Sequence, residues 1–221
     1  MKTSAGGNFK IIVFFPTARA CGFMAELFNK MELGVPILEM HSRKSQSART
    51  KTSEQFRSPG SKILFSSDVS ARGMDYPDVT HVLQVGMTER EQYIHRLGRT
   101  ARAGKDGQGF LLLAPFEEHA MQRELREMPL QRIDLGLGRL AGVDEALGMV
   151  ERSPALRNSA EKAYQAWLGF YNSNTKKCGF TKEQLVATAA AYARSLGLSE
   201  TPALMKKTIG KMGLKGVTGL R

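Results

Sequence analysis

The chain has 221 residues, 42% hydrophobic and 24% charged, enough for one large or two small domains with a real core. A net charge of +11 and a pI near 9.8 favour a polyanionic partner, nucleic acid first among them. Its two cysteines, Cys21 and Cys178, lie far apart without metal-ligand spacing, which fits a reducing interior compartment, and no apolar run approaches a membrane span.

The first 134 residues alternate strand and helix. Lys10–Phe15 is a continuous apolar run of the kind buried on both faces of a parallel sheet. Pro16-Thr17 stops it, and Thr17 is placed to cap a helix running to about Leu33. Ile37–Met40, Lys62–Ser66, His81–Val85 and Gly109–Leu113 repeat the strand signal. Helical patterns are expected between them, at about 45–57, 89–102 and 116–127, with Thr88-Glu-Arg-Glu91 as a capping box opening the second. This alternation predicts an α/β fold, a doubly wound parallel sheet whose ligands bind beyond the carboxyl ends of the strands. Pro16 and Thr17, His41 to Arg49, Ser67 to Asp75 and the region after Val85 are expected at that edge.

Beyond Leu130 the strand signal disappears. Residues 134–139 read as a linker, and helices are expected at about 140–151, 155–171, 181–196 and 201–212. Ser153-Pro154 and Thr201-Pro202 supply a cap and a first-turn proline, and Thr181-Lys-Glu-Gln184 a capping box. The predicted organisation is a domain over 1–134, a small all-α extension over 135–205 and a basic tail over 206–221. Trp167, Phe170 and Tyr171 share a helix face and read as the core of the extension rather than as a base-stacking platform. From residue 135 on there are 13 Lys or Arg against 6 Asp or Glu. Lys206, Lys207, Lys211, Lys215 and Arg221 suggest a flexible basic arm for phosphate backbone, with a merely solubilising tail as the alternative.

Tyr93 to Gly104, Tyr-Ile-His-Arg-Leu-Gly-Arg-Thr-Ala-Arg-Ala-Gly, carries the most chemistry. On a helix, His95, Arg99 and Arg102 at i, i+4 and i+7 point out along one stripe. Guanidiniums form a planar fork suited to phosphate and keep their charge at neutral pH. Beside a nucleoside triphosphate, such a pair stabilises charge on the transferred phosphoryl group. A solvated basic face is the alternative reading of the same residues.

Four motifs in order resemble the C-terminal RecA-like domain of DEAD-box RNA helicases. Ile12-Val-Phe-Phe-Pro-Thr17 resembles motif IV, and the segment from His41 to Arg49 carries a Q-x-x-R element at Gln46 and Arg49. Ser66-Ser-Asp-Val-Ser-Ala-Arg-Gly-Met-Asp75 is similar to motif V, and Tyr93–Arg102 to motif VI. The match covers about residues 8–134, and its details look most like the fungal organellar RNA chaperones and related plant enzymes. The resemblance implies that Arg99 and Arg102 reach the γ-phosphate of ATP, Arg102 as the arginine finger. It implies that His95 bridges to the acidic motif of an N-terminal RecA-like partner domain, which also holds Mg2+. Asp75 is given the ribose hydroxyl, although it equally starts the Asp75-Tyr-Pro-Asp78 turn. Thr17, Arg49, Ser67, Arg72 and Gly73 fall on the RNA side and suit contacts to backbone and 2′-hydroxyl groups, with little sequence specificity. Gln46 either caps its own turn or touches ligand.

Two departures stand out. His41-Ser42 replaces His-Gly, and Ala101 replaces the commoner glycine of motif VI, a change expected to favour helix. Neither G-x-x-x-x-G-K-[ST] nor Asp-Glu-Ala-Asp occurs, and Asp144-Glu145-Ala146 lies in the helical extension. Phosphoryl transfer therefore lacks most of its parts. The expected protein is half of an ATP-dependent RNA helicase that binds RNA and hydrolyses no ATP alone, in a mitochondrion or plastid by resemblance. A stand-alone RNA-binding or regulatory module, and half of a DNA-directed superfamily-2 helicase, are the other readings.

Overall fold

The structure, a computed structural model, describes residues 8–67, 76–101, 106–134 and 142–220. Arg72, Gly73, Asp75 and Arg102 lie outside the described residues. Two compact units divide the chain between Pro115 and Phe116.

The first unit is built on strands β1 (Lys10–Phe14), β2 (Ile37–Met40), β3 (Lys62–Ser66), β4 (His81–Val85) and β5 (Gln108–Leu112). They form one parallel sheet in the order β2-β3-β1-β4-β5, the doubly wound arrangement expected from the alternation of elements. Alternate residues of β1 serve the two faces, as the period of a strand requires. Ile12 and Phe14 join Met40, Phe56, Leu64, Tyr76 and Val82 in one core. Val13 and Phe15 join Ala20, Cys21, Ala25, Ile37 and Phe65 in the other. Helix α1 (Ala18–Lys30) supplies the second core through its buried face. Helix α2 (Gln46–Arg57) supplies Phe56 to the first. Thr17 caps α1 as expected, its hydroxyl oxygen accepting the Ala20 N–H at 3.1 Å.

Helix α3 (Arg90–Leu97) corrects two expectations. It is capped by Glu89, not Thr88, with no side-chain cap bond, and the Thr88 hydroxyl instead lies 3.1 Å from Gln92 Oε1. It also stops at Leu97, five residues before Arg102. Gly98 closes the last turn, and Ala101 takes a left-handed φ of +54°, so alanine does not extend the helix. A glycine across the turn makes this path possible, since a Cβ on Gly107 would stand 2.2 Å from Thr100 Oγ1. The Thr100 hydroxyl is buried and donates to the Val79 carbonyl at 2.6 Å.

The second unit is helical. It contains α4 (Pro115–Glu124), α5 (Val143–Arg152), α6 (Pro154–Ser173), the short α7 (Thr175–Cys178), α8 (Lys182–Ser195) and α9 (Lys206–Lys211). Ser153 caps α6 with Pro154 in its first turn, and the Thr181–Gln184 capping box opens α8, as the sequence predicts. Trp167 and Tyr171 are buried, with Phe116, Tyr171 and Tyr192 packed around Trp167, which bears out the core reading for these two; Phe170 is half-buried against Tyr171. The Tyr171 hydroxyl donates to the buried carboxylate of Glu117. Thr201-Pro202 opens no helix; α9 begins four residues later, behind Met205.

The basic tail is not a free arm. Leu214 is fully buried, Asn172 Nδ2 donates to the Met212 carbonyl at 3.1 Å, and Lys182 Nζ donates to the Gly213 carbonyl at 2.7 Å. Two hydrogen bonds tie the segment to α6 and α8 and its leucine is buried, which composition alone could not reveal.

Candidate nucleic-acid interface

Parallel pairing sets where the loops emerge. Phe14, Ser66 and Met40 share one rung of β1, β3 and β2, and the chain leaves the sheet just beyond it. Two bonds carry the ladder one step further: Phe15 N–H to the Ser66 carbonyl at 2.9 Å, and Ser67 N–H to the Met40 carbonyl at 3.1 Å. Thr17, the turn from His41 and Ser67 therefore share the carboxyl edge, the position expected of a ligand site. Thr17 is half-buried with its oxygen committed to the cap, which leaves its hydroxyl hydrogen for a ligand. Ser67 is 7% exposed.

Arg49 lies one turn into α2. The cap of that helix is Ser45, whose hydroxyl oxygen accepts the Ala48 N–H at 3.2 Å, so Gln46 is free of the capping role and stands exposed. Arg49 is half-buried, and its Nε has no hydrogen-bond partner among the described residues. A buried guanidinium nitrogen left in that state is costly, and a phosphate or carbonyl oxygen satisfies it.

The motif-VI residues lie elsewhere. Helix α3 runs back against the strand direction, so its end meets the amino ends of the strands, not the carboxyl edge where the region after Val85 was expected. His95 is exposed on α3. Arg99 lies past the helix, half-buried, with Nε donating to the His95 carbonyl at 3.2 Å. The continuous stripe of His95, Arg99 and Arg102 is therefore broken at Gly98. Arg99 lines a cleft of about 340 Å³ with Lys10, Arg57, Tyr76, Asp78 and Asp106. Three cations against two carboxylates make this cleft suited to an anion. Tyr76, next to Asp75 in the chain, lies under the Arg57 guanidinium at 5.8 Å, and burial raises its hydroxyl pKa. Lys10 is buried and donates to the Arg57 carbonyl at 3.0 Å; burial first, then the charge of Lys62, lowers its pKa, with Asp78 opposing.

One charged residue escaped sequence reasoning. Arg96 is 2% exposed, with its guanidinium 5.1 Å from the centre of the Phe14 ring. Its spacing from buried Tyr93, three residues earlier on the same helix face, was the available signal. It anchors α3 to the sheet while the neighbouring His95 remains in solvent.

Comparison with known proteins agrees with this architecture. The family model described as helicase conserved C-terminal domain matches residues 3–104. DEAD-box ATP-dependent RNA helicase 26 of Oryza sativa subsp. japonica is 50% identical over 219 residues, covering 97% of this chain and 39% of the relative. DEAD-box ATP-dependent RNA helicase 31 of Arabidopsis thaliana is 50% identical over 218 residues, covering 97% of this chain and 29% of that protein. The chain thus spans two fifths or less of these curated relatives. The solved structure of Mss116p DEAD-box helicase domain 2 bound to an RNA duplex is 31% identical, with a TM-score of 0.77. That match covers 94% of this chain and 82% of the solved one, taking in the helical extension as well as the sheet. With the parallel sheet, the carboxyl-edge loops and the motif order in agreement, the chain belongs to the DEAD-box helicase family as its C-terminal, RecA-like domain.

Proposed function

We propose that this chain is the RNA-grasping, ATP-completing half of an ATP-dependent RNA helicase, working against an N-terminal RecA-like domain. The observation that carries this reading is the division of the candidate residues between two ends of one sheet. Thr17, Arg49 and Ser67 collect at the carboxyl edge, and Arg99 lines a cationic cleft at the other. Arg72 and Gly73 complete the RNA side, with glycine allowing the strand to approach the backbone. Asp75 takes a ribose hydroxyl, and Arg99 and Arg102 take the γ-phosphate, Arg102 as finger. His95, exposed at the end of its helix, is available to a carboxylate of the partner domain. Magnesium is assigned to that partner by resemblance. A reducing, organellar compartment is part of the proposal, by resemblance and from the wide separation of Cys21 and Cys178 in the chain.

The reading is tested by reconstitution. Alone, the chain is expected to bind RNA more tightly than duplex DNA, with a steep salt dependence, and to turn over no ATP. Added to an N-terminal RecA-like domain of a close relative, it restores RNA-stimulated ATP hydrolysis, and Arg102→Ala lowers that rate by about 10³-fold or more. ATP turnover by the chain alone, or full activity of the Arg102→Ala mixture, overturns the assignment.

A further inference from the structure

The cleft that holds Arg99 is organised around the turn entering β4. Tyr76 is 1% exposed and meets the Phe56 ring of α2 in a T-shaped pair, centres 5.0 Å apart, with its hydroxyl 3.7 Å from Met40 Sδ. The ring is thus fixed by α2 and by the end of β2. The Arg57 guanidinium lies over it, 5.8 Å from its centre. A guanidinium on an aromatic face is attracted by the ring and keeps its N–H donors at its edge for an anion. Arg57 and Arg99 both line the cleft, and both act on Tyr76. Burial raises the Tyr76 hydroxyl pKa, while the charges of the two guanidiniums pull it down.

Lys10, buried at the first position of β1, ties this corner together. Its ammonium donates to the Arg57 carbonyl at 3.0 Å and to the Pro77 carbonyl at 3.5 Å, and stands 5.8 Å from the centre of the Phe56 ring. Lys62 Nζ donates to the Ser58 carbonyl at 2.8 Å and to the Pro59 carbonyl at 2.6 Å. Two ammonium groups therefore meet the carbonyls at the end of α2, where the helix dipole is negative and would otherwise repel an anion. The end of α2 and the turn at Pro77 are held as one piece, and Arg57 is carried on it into the cleft. Helix α2 bears Arg49 one turn from its start and Arg57 as its last residue.

We propose that Arg57 is a further nucleotide-binding residue, seated on Tyr76 beside Arg99 so that the two guanidiniums share the phosphate chain of ATP. Tyr76 is its positioning residue. This second contact rests on the reading above, in which Arg99 takes the γ-phosphate.

The test begins with the full chain alone. Inorganic tripolyphosphate is titrated in while the arginine Nε–Hε signals are followed by nuclear magnetic resonance, with Arg57→Lys and Arg99→Lys assigning them. Both signals are expected to move along one saturation curve. The N-terminal RecA-like domain of a close relative is then added in saturating excess. Arg57→Gln is expected to raise KM for ATP several-fold and to lower kcat less than Arg99→Gln does. Arg57 is exposed, so its replacement leaves the core intact. Tyr76→Leu raises KM as Arg57→Gln does, and Tyr76→Phe, which keeps the ring, restores most of the loss. Arg57→Gln and Tyr76→Leu together raise KM no further than either alone, because the ring acts through the guanidinium. An Arg57 signal that stays still while that of Arg99 moves overturns the second contact and leaves the ATP reading standing. So does a parent-like KM for Arg57→Gln beside an impaired Arg99→Gln. Effects of Arg57→Gln and Tyr76→Leu that multiply in the double variant overturn the seat on the ring. An Arg99→Gln mixture with the parent KM and kcat overturns the ATP reading and the second contact with it.

Discussion

Ala101 holds a φ of +54°, where an L side chain costs about 1–2 kcal/mol and glycine almost nothing. The residue was expected to favour helix; the structure instead explains why glycine is commoner at this place in motif VI. Ala101→Gly is therefore expected to stabilise the chain by about 1 kcal/mol after the added freedom of the unfolded state is subtracted, read as a higher denaturation midpoint. A lower midpoint would show that the backbone there is not left-handed. Cys21 offers a second check. Burial, with Glu39 adding to it, pushes its thiol up to about 12 from an ordinary 9.0. Its folded value lies above its unfolded one, so its contribution to stability is whole below about pH 9 and drains away as pH rises towards about 12. Denaturation curves across that window are expected to show falling stability in the parent and a shallower fall in Cys21→Ala.

Elements were legible to the degree that local pattern decides them. The strands announced themselves as apolar runs, and the Thr17 cap and the Thr181–Gln184 box formed as read. Helix α3 did not end where its periodicity did, because Gly98, the Thr100 hydroxyl bond to Val79 and the space over Gly107 turn the chain aside. The bond to Val79 is a contact with a distant segment, 21 residues away, which a local window of sequence does not contain. The tail failed for the same reason: its lysines were visible, but the buried seat of Leu214 and the bonds from Asn172 and Lys182 were not. That seat makes a prediction. Truncation after Ser199 removes a fully buried leucine, about 1.5–3 kcal/mol of apolar burial, and should lower the melting temperature by several degrees while flattening the salt dependence of RNA binding. Removal of a loose arm would flatten the salt dependence and leave the melting temperature alone.

At the scale of the whole molecule, the family was readable from motif order and the doubly wound sheet from alternation. The candidate site was only half readable. Thr17, Arg49 and Ser67 do share the carboxyl edge, since parallel strands deliver their following loops to one side. Arg99 does not, because a helix returning along the sheet carries its last residues to the opposite end. The roles of Asp75, Arg72, Gly73 and Arg102 rest on resemblance and on the reconstitution described above. The common rung of Phe14, Ser66 and Met40 has a further consequence. Adjacent strands lie about 4.8 Å apart in the hydrogen-bonding direction, a gauge set by backbone and not by side chains. The loops on that edge are teeth of a comb with fixed pitch. Replacing a side chain changes what a tooth grips, while inserting one residue into β3 would put Ser67 out of step with its neighbours and leave every chemical group intact.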